Sequence, residues 1–267
     1  MSALTTGPGD ETARARAEEA EGFLSAARDI VAEGDRRNLL LRLLGSLAYR
    51  IHCPAHAHLL DEMDRQLTDL DFASERRHAG ALIDMLKELA YVMDAEIAGA
   101  TGGARYYFKH PQTGLGVDIF MDELYYCHRI AFRGRLQVDR PTIPLAELLL
   151  EKMQIVELNE KDVKDTIVLL LEHDIGEDDD EKVNARLIAD TLSDDWGFYH
   201  TVNMNLDRVL DHLQDYAALG EDDRRLVRQR IDDLRSRIEA RPKSLRWKAR
   251  ARVGTRTRWY QQVEAKP

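Results

Sequence analysis

The chain has 267 residues, 44% of them hydrophobic and 32% charged, with a formal net charge of −10, which is enough material for one large globular domain or two modest ones. It contains no run of roughly 18 apolar residues, and Met1 to Glu21 is polar and acidic, so neither a membrane span nor a secretory leader is expected and the assigned compartment is the cytoplasm. Cys53 and Cys127 are the only cysteines, which argues against a zinc site or a disulfide framework.

In chain order, a loose segment with Gly7, Pro8 and Gly9 precedes a helix over Asp10–Ala32, with Phe23, Leu24, Ala27 and Ile30 at helical spacing. Asn38–Leu44 has the apolar content and length of a buried strand; Gly45-Ser46 turns it into a helix from Leu47 to His52. Leu67–Ala73 alternates apolar and polar residues as a strand does, and a helix over Glu75–Tyr91 follows. Residues 104–110 and 115–121 read as a hairpin around Pro111–Gly114, and His128–Val138 as a strand extending its sheet. Beyond Pro141 the patterns are helical: 145–158, 161–173, 182–192, 202–216 and 222–240, then a basic tail opened by Pro242 and carrying Trp247 and Trp259. The expected fold is α+β, a mixed β-sheet core with flanking helices over residues 36–140, preceded by the N-terminal helix and loose segment (1–35) and followed by an all-α C-terminal domain (141–267).

Charge is unevenly placed. Arg224 to Arg258 holds fourteen Lys or Arg against Asp232, Asp233 and Glu239, a net +11 that leaves −21 on the remainder. Such a block meets phosphate, or it is the solvated face of a helix meeting an acidic surface. Trp247 and Trp259 either stack on bases or anchor the terminal segment on its own protein.

The residues with chemistry in them are carboxylates. Asp69 and Asp71 lie two apart in a strand and so share a face, opposite Leu70 and Phe72; they form either a polar edge or a magnesium site, since magnesium prefers carboxylate and phosphate oxygen. Asp118, inside the apolar strand Gly116-Val-Asp-Ile-Phe120, needs a partner: a metal shared with Asp69 and Asp71, or Arg129 or Arg133 on the next strand. The Gly45-Ser46 turn offers backbone N–H groups to a phosphate, or is an ordinary turn with Ser46 as N-cap. Lys152, beside Glu151 on an amphipathic helix, also reads as half of a surface pair. His52, His56 and His58 lack the companions a zinc site needs and read as solvated or capping residues.

Gly45-Ser46, then Leu67-Thr-Asp69-Leu-Asp71-Phe72, then Gly116-Val-Asp118-Ile-Phe120, in that order, resemble the DNA polymerase β-type nucleotidyltransferase superfamily. Leu148-Leu-Leu-Glu-Lys152-Met, followed by Asn159-Glu-Lys-Asp162-Val-Lys-Asp165, is similar to the branch of abortive-infection (AbiEii-like) nucleotidyltransferase toxins, and Arg65 matches a residue placed before the Asp pair there. The resemblance covers about 39–171. It implies a nucleotidyltransferase fold and a magnesium-dependent enzyme that transfers a nucleoside monophosphate from a nucleoside triphosphate to an acceptor hydroxyl. Asp69, Asp71 and Asp118 would be catalytic and metal-binding; Gly45, Ser46, Arg65 and Lys152 would meet the nucleotide; Asp162 or Asp165 would support the site. It also implies a transfer RNA end, a small-molecule hydroxyl or a protein side chain as acceptor, and an antitoxin protein as partner. The interval between Gly45-Ser46 and Asp69 is longer than the family's, by the segment His52–Asp64, and Asn159 stands where the toxin branch often has arginine. The rival readings are a non-catalytic module of the same fold that grips nucleic acid or a partner protein through Arg224–Arg258, and a nucleotide sensor that binds without turnover.

Overall fold

The computed structural model describes residues 8–262. The first seven residues of the expected loose segment and the last five of the tail lie outside the described residues.

Helix α1 (Pro8–Arg36) lays Ala27, Ile30 and Val31 on the core. Strand β1 (Leu41–Leu44) is buried at every position, and Gly45, at φ +69°, swings the chain into α2 (Gly45–His52), a backbone conformation that favours glycine. The N-cap of α2 is Leu44 without a side-chain bond, so Ser46 is not the cap but a buried residue of the first turn. After α3 (Ala57–Glu62) comes β2 (Asp69–Ser74), then α4 (Ala79–Glu88), β3 (Val92–Met93), α5 (Ala95–Ala100), β4 (Arg105–Lys109) and β5 (Gly116–Met121).

These strands form one mixed sheet in the order β1-β2-β5-β4-β3; β2 and β5 are parallel and every other pair is antiparallel. Leu70, Phe72, Val117 and Ile119 are fully buried at its centre, each worth about 1.5–3 kcal/mol of burial. One edge is the two-residue β3, too short to template further pairing. The other edge is covered: Leu43 donates to Pro141 O (2.9 Å), and Ile143 donates back to Leu43 O (2.8 Å).

The expected sheet extension over 128–138 does not form. Only β7 (Arg129–Ala131) is extended, and it pairs with β6 (Glu123–Tyr125) in a separate hairpin. The cause is local: Gly134, at φ +72°, turns the chain, Phe132 and Leu136 dip into the core, and the Arg135 guanidinium is drawn to Glu147 and to Asp179 (2.7 Å).

The second half is helical apart from the small β8–β9 pair (Ile175–Gly176, Val183–Asn184): α6 (Leu145–Met153), α7 (Glu160–Glu172), α8 (Ala185–Asp194), α9 (Trp196–His212), α10 (Glu221–Ala240) and α11 (Leu245–Val253). Asn159 caps α7 by accepting from Asp162 N at 3.0 Å, which accounts for asparagine there. Helix α7 is buried on almost all sides, against α2, α3, α6, α9 and α10. The supposed tail is a helix as well, capped by Ser244. No helix among the described residues is long and apolar enough to cross a membrane.

Candidate functional site

Parallel pairing of β2 with β5 sets Asp71 directly opposite Asp118, and Asp69 opposite Gly116. Asp69 and Asp71 share the half-exposed face of β2 while Leu70 and Phe72 are buried on the other. Gly45 stands against this pair: a Cβ there would run into the Asp71 carboxylate, so the glycine is required both for its φ and for the space it leaves. Burial, reinforced by the Asp69, Asp118 and Glu151 carboxylates, raises the Asp71 carboxyl to about 8.

Two side chains that the sequence did not single out take positions expected for ligands. Arg105 on β4 forms a bidentate pair with Asp118, its Nε 2.7 Å from Oδ1 and its Nη2 on Oδ2; Arg129 instead pairs with Glu123 at 3.0 Å. The expected partner for Asp118 on a 128–138 strand is therefore corrected to Arg105, two residues along β4 from Tyr107, which faces Asp118 in register. Glu151 on α6 accepts the Gly45 N–H with both oxygens, at 3.1 and 3.2 Å. That backbone donor is satisfied by a protein carboxylate in this structure. Burial lifts the Glu151 carboxyl to about 7 against the pull of Lys152 and this N–H.

Lys152 and Arg65 are brought to one place, and it is inside the protein. Lys152 Nζ lies 3.2 Å from Asp165, 3.3 Å from Asp162 and 3.7 Å from Glu151, over the Tyr49 ring at 5.4 Å, and only 11% of its side chain is exposed. It is no surface pair. Burial works against its charge, but the three acids outweigh burial and hold its pKa above the ordinary value. Arg65 binds Asp165 through two bonds of 2.9 Å, with Asp165 fully buried. Asp162 and Asp165 therefore both meet Lys152, and Arg65 reaches the site through Asp165.

Among the described residues no group of three or more His, Cys, Asp or Glu side chains stands ready to hold a metal ion. Asp69 and Asp71 offer carboxylate oxygen of the kind a divalent cation prefers, and the Asp118 oxygens receive Arg105. Of the histidines singled out by the sequence, His52 bonds Thr142 and His56 bonds Glu172 at 2.6 Å. Both cysteines are free and buried.

The basic segment divides in two. On α10 most of the arginines are matched by the protein's own acids: Arg224 with Glu221, Arg225 with Asp222, Arg230 with Asp174, Arg235 with Asp207, and Arg237 with Asp233 and Glu177. From Leu245 to Tyr260 there are six Lys or Arg and no carboxylate. Trp247 packs edge-on to Tyr199 and Trp259 donates to Thr201, so both anchor the terminal segment.

Compared with known proteins, the chain matches no family model, no curated protein and no solved structure.

Proposed function

We propose that this protein is a magnesium-dependent nucleotidyltransferase of the polymerase β type, moving a nucleoside monophosphate from a nucleoside triphosphate to an acceptor hydroxyl. The observation that carries the reading is Asp71 facing Asp118 across two parallel strands, where burial, reinforced by the neighbouring carboxylates, lifts the Asp71 carboxyl to about 8. Carboxylates brought together on adjacent strands are expected where a divalent ion is to be bound.

In this reading Asp69 and Asp71 hold the magnesium ion, which when bound neutralises the triphosphate and favours departure of pyrophosphate. Gly45 gives the Asp71 carboxylate its room, and Ser46, in the first turn of α2, would meet the phosphates. Lys152 acts from behind, limiting repulsion between Glu151 and Asp71, with Arg65 and Asp165 fixing it from α7. Arg105 releases Asp118 and turns to phosphate. Asp118 then accepts the acceptor hydroxyl proton as the oxygen bonds to the α-phosphorus and the α–β anhydride bond breaks. The likeness to the toxin branch adds an RNA acceptor, such as a transfer RNA end, and an antitoxin partner; the six Lys or Arg between Leu245 and Tyr260, with no carboxylate among them, are in keeping with RNA.

A second reading is favoured by the same two unexpected contacts. With Arg105 on Asp118 and Glu151 on Gly45, the chain would be a non-catalytic module of this fold that binds nucleic acid or a partner protein through its basic segment. Incubation with each α-labelled triphosphate and magnesium, with and without bulk RNA, separates the two. Label transfer that falls by roughly two orders of magnitude or more in Asp71→Asn supports the enzyme, and undiminished transfer in that variant removes the role of Asp71. Salt-sensitive, magnesium-independent RNA binding without transfer supports the module.

A further inference from the structure

A cavity of about 780 Å³ lies away from the reading above, between the β6–β7 turn, the junction of α8 with α9, and the chain after α11. Its walls are fixed by specific bonds. The Thr201 hydroxyl donates to Gly197 O (3.1 Å) and accepts from Trp259 Nε1 (3.0 Å), leaving its second acceptor position for His128 Nε2 at 2.8 Å, which assigns the proton to that nitrogen. His128 in turn stacks on Phe198 with centroids 4.9 Å apart. Arg250 lies over the Trp196 ring and donates to the carbonyls of Gly254, Thr257 and Arg258, tying the terminal segment down as one rim.

The rim carries cations and rings together. Arg246 is 79% exposed and no nearer than 3.9 Å to its one acid, Asp194. Arg258 is exposed, and no carboxylate pairs with it among the described residues. Of the acids lining the cavity, Asp195 is committed to capping α9 through Phe198 N. Tyr125, 47% exposed, stands on the opposite rim beneath Arg129, and the half-buried Trp259 and Tyr260 complete the aromatic surface. A purely apolar ligand would leave the guanidinium groups unmatched, and a bare anion would leave the rings unused. A planar heteroaromatic ring bearing phosphate matches both, since bases stack on aromatic faces and arginine recognises phosphate through its fork.

We propose that this cavity is a nucleotide-binding site distinct from the carboxylate cluster, with Arg246 and Arg258 meeting phosphate and the Tyr125, Trp259 and Tyr260 rings meeting the base. The ligand is a free nucleotide or one residue of a single strand; the chemistry is shared, and the size suits either.

The test uses the full chain in EDTA, so that no transfer is read and the result is independent of the function proposed above. Adenosine monophosphate is titrated by intrinsic tryptophan fluorescence and calorimetry, a labelled single-stranded oligoribonucleotide by anisotropy, and inorganic tripolyphosphate serves as an anion without a base. Binding of the monophosphate marks a free-nucleotide site, and binding of the oligonucleotide alone marks a strand residue; either supports the proposal when the Arg246→Ala/Arg258→Ala variant weakens it tenfold or more and Tyr125→Ala also weakens it. Both arginines are exposed, so these variants do not test folding, and Arg225→Ala on α10 should bind as the parent does. The proposal is overturned if the double variant binds unchanged, if tripolyphosphate binds as tightly as the nucleotides, or if no nucleotide ligand binds.

Discussion

Two groups of buried acids lie side by side, and they are built on opposite principles. Asp162 and Asp165 on α7 are answered by Lys152 and Arg65 with good geometry, so the ionised state is the stable one. Burial pushes the Asp71 and Glu151 carboxyl groups up, to about 8 and about 7, with the Asp69, Asp118 and Glu151 carboxylates adding to the effect on Asp71. The first group serves to hold α7 against the segment before β2. The second is held together by the surrounding fold in spite of its charges, a perturbation that under the proposed function would serve a ligand and not stability.

The sharpest way to break the contrast is at Arg65. Arg65→Met should cost about 1.5–3 kcal/mol in urea unfolding, because Asp165 would stay buried without its bidentate partner and with Lys152 alone, at 3.2 Å, to answer it; a loss below about 1 kcal/mol would show that the pair is not structural. Asp71 should behave in the other direction. Its folded pKa lies above its ordinary 3.8, so between pH 4 and 8 the folded protein binds a proton that the unfolded chain has released, and stability attributable to Asp71 falls as pH rises through that window. In Asp71→Asn the loss between pH 5 and pH 8 should shrink by on the order of 1 kcal/mol, solvent moderating the repulsion at a half-buried residue. Millimolar magnesium at pH 8 should raise the urea midpoint of the parent and leave that of Asp71→Asn unmoved. The smallest effect is expected at the surface: Arg225→Ala, whose pair with Asp222 is 74% and 87% exposed, should change stability by less than about 0.5 kcal/mol in the same assay.

The carboxylates were legible because strand periodicity is simple: Asp69 and Asp71 must share a face, and an Asp within Gly116–Phe120 must sit near the centre of a sheet. The partner of Asp118 was not legible, and the reason is traceable. With 128–138 taken as the neighbouring strand, Arg129 and Arg133 were the natural candidates; the turn at Gly134 removes that strand and leaves β4, with Arg105, beside Asp118. Glu151 was missed because it was paired with Lys152 at the surface, although the run Leu148-Leu-Leu150 leaves little room for a polar face on α6, and Glu151 is in fact buried. The pairing of Arg230, Arg235 and Arg237 with Asp174, Asp207 and Glu177 depends on acids far away in the chain, and no local pattern reports it.

Residues 141–143 close the outer edge of β1, and the same strand's following turn depends on Glu151, 106 positions later, for its Gly45 N–H. A fragment ending at residue 140 would therefore expose a raw strand edge, orphan a buried amide and strand Arg65 without its acid. Such a fragment would aggregate and not report on the sheet's chemistry, so the helical half is a condition for the carboxylate cluster to exist at all.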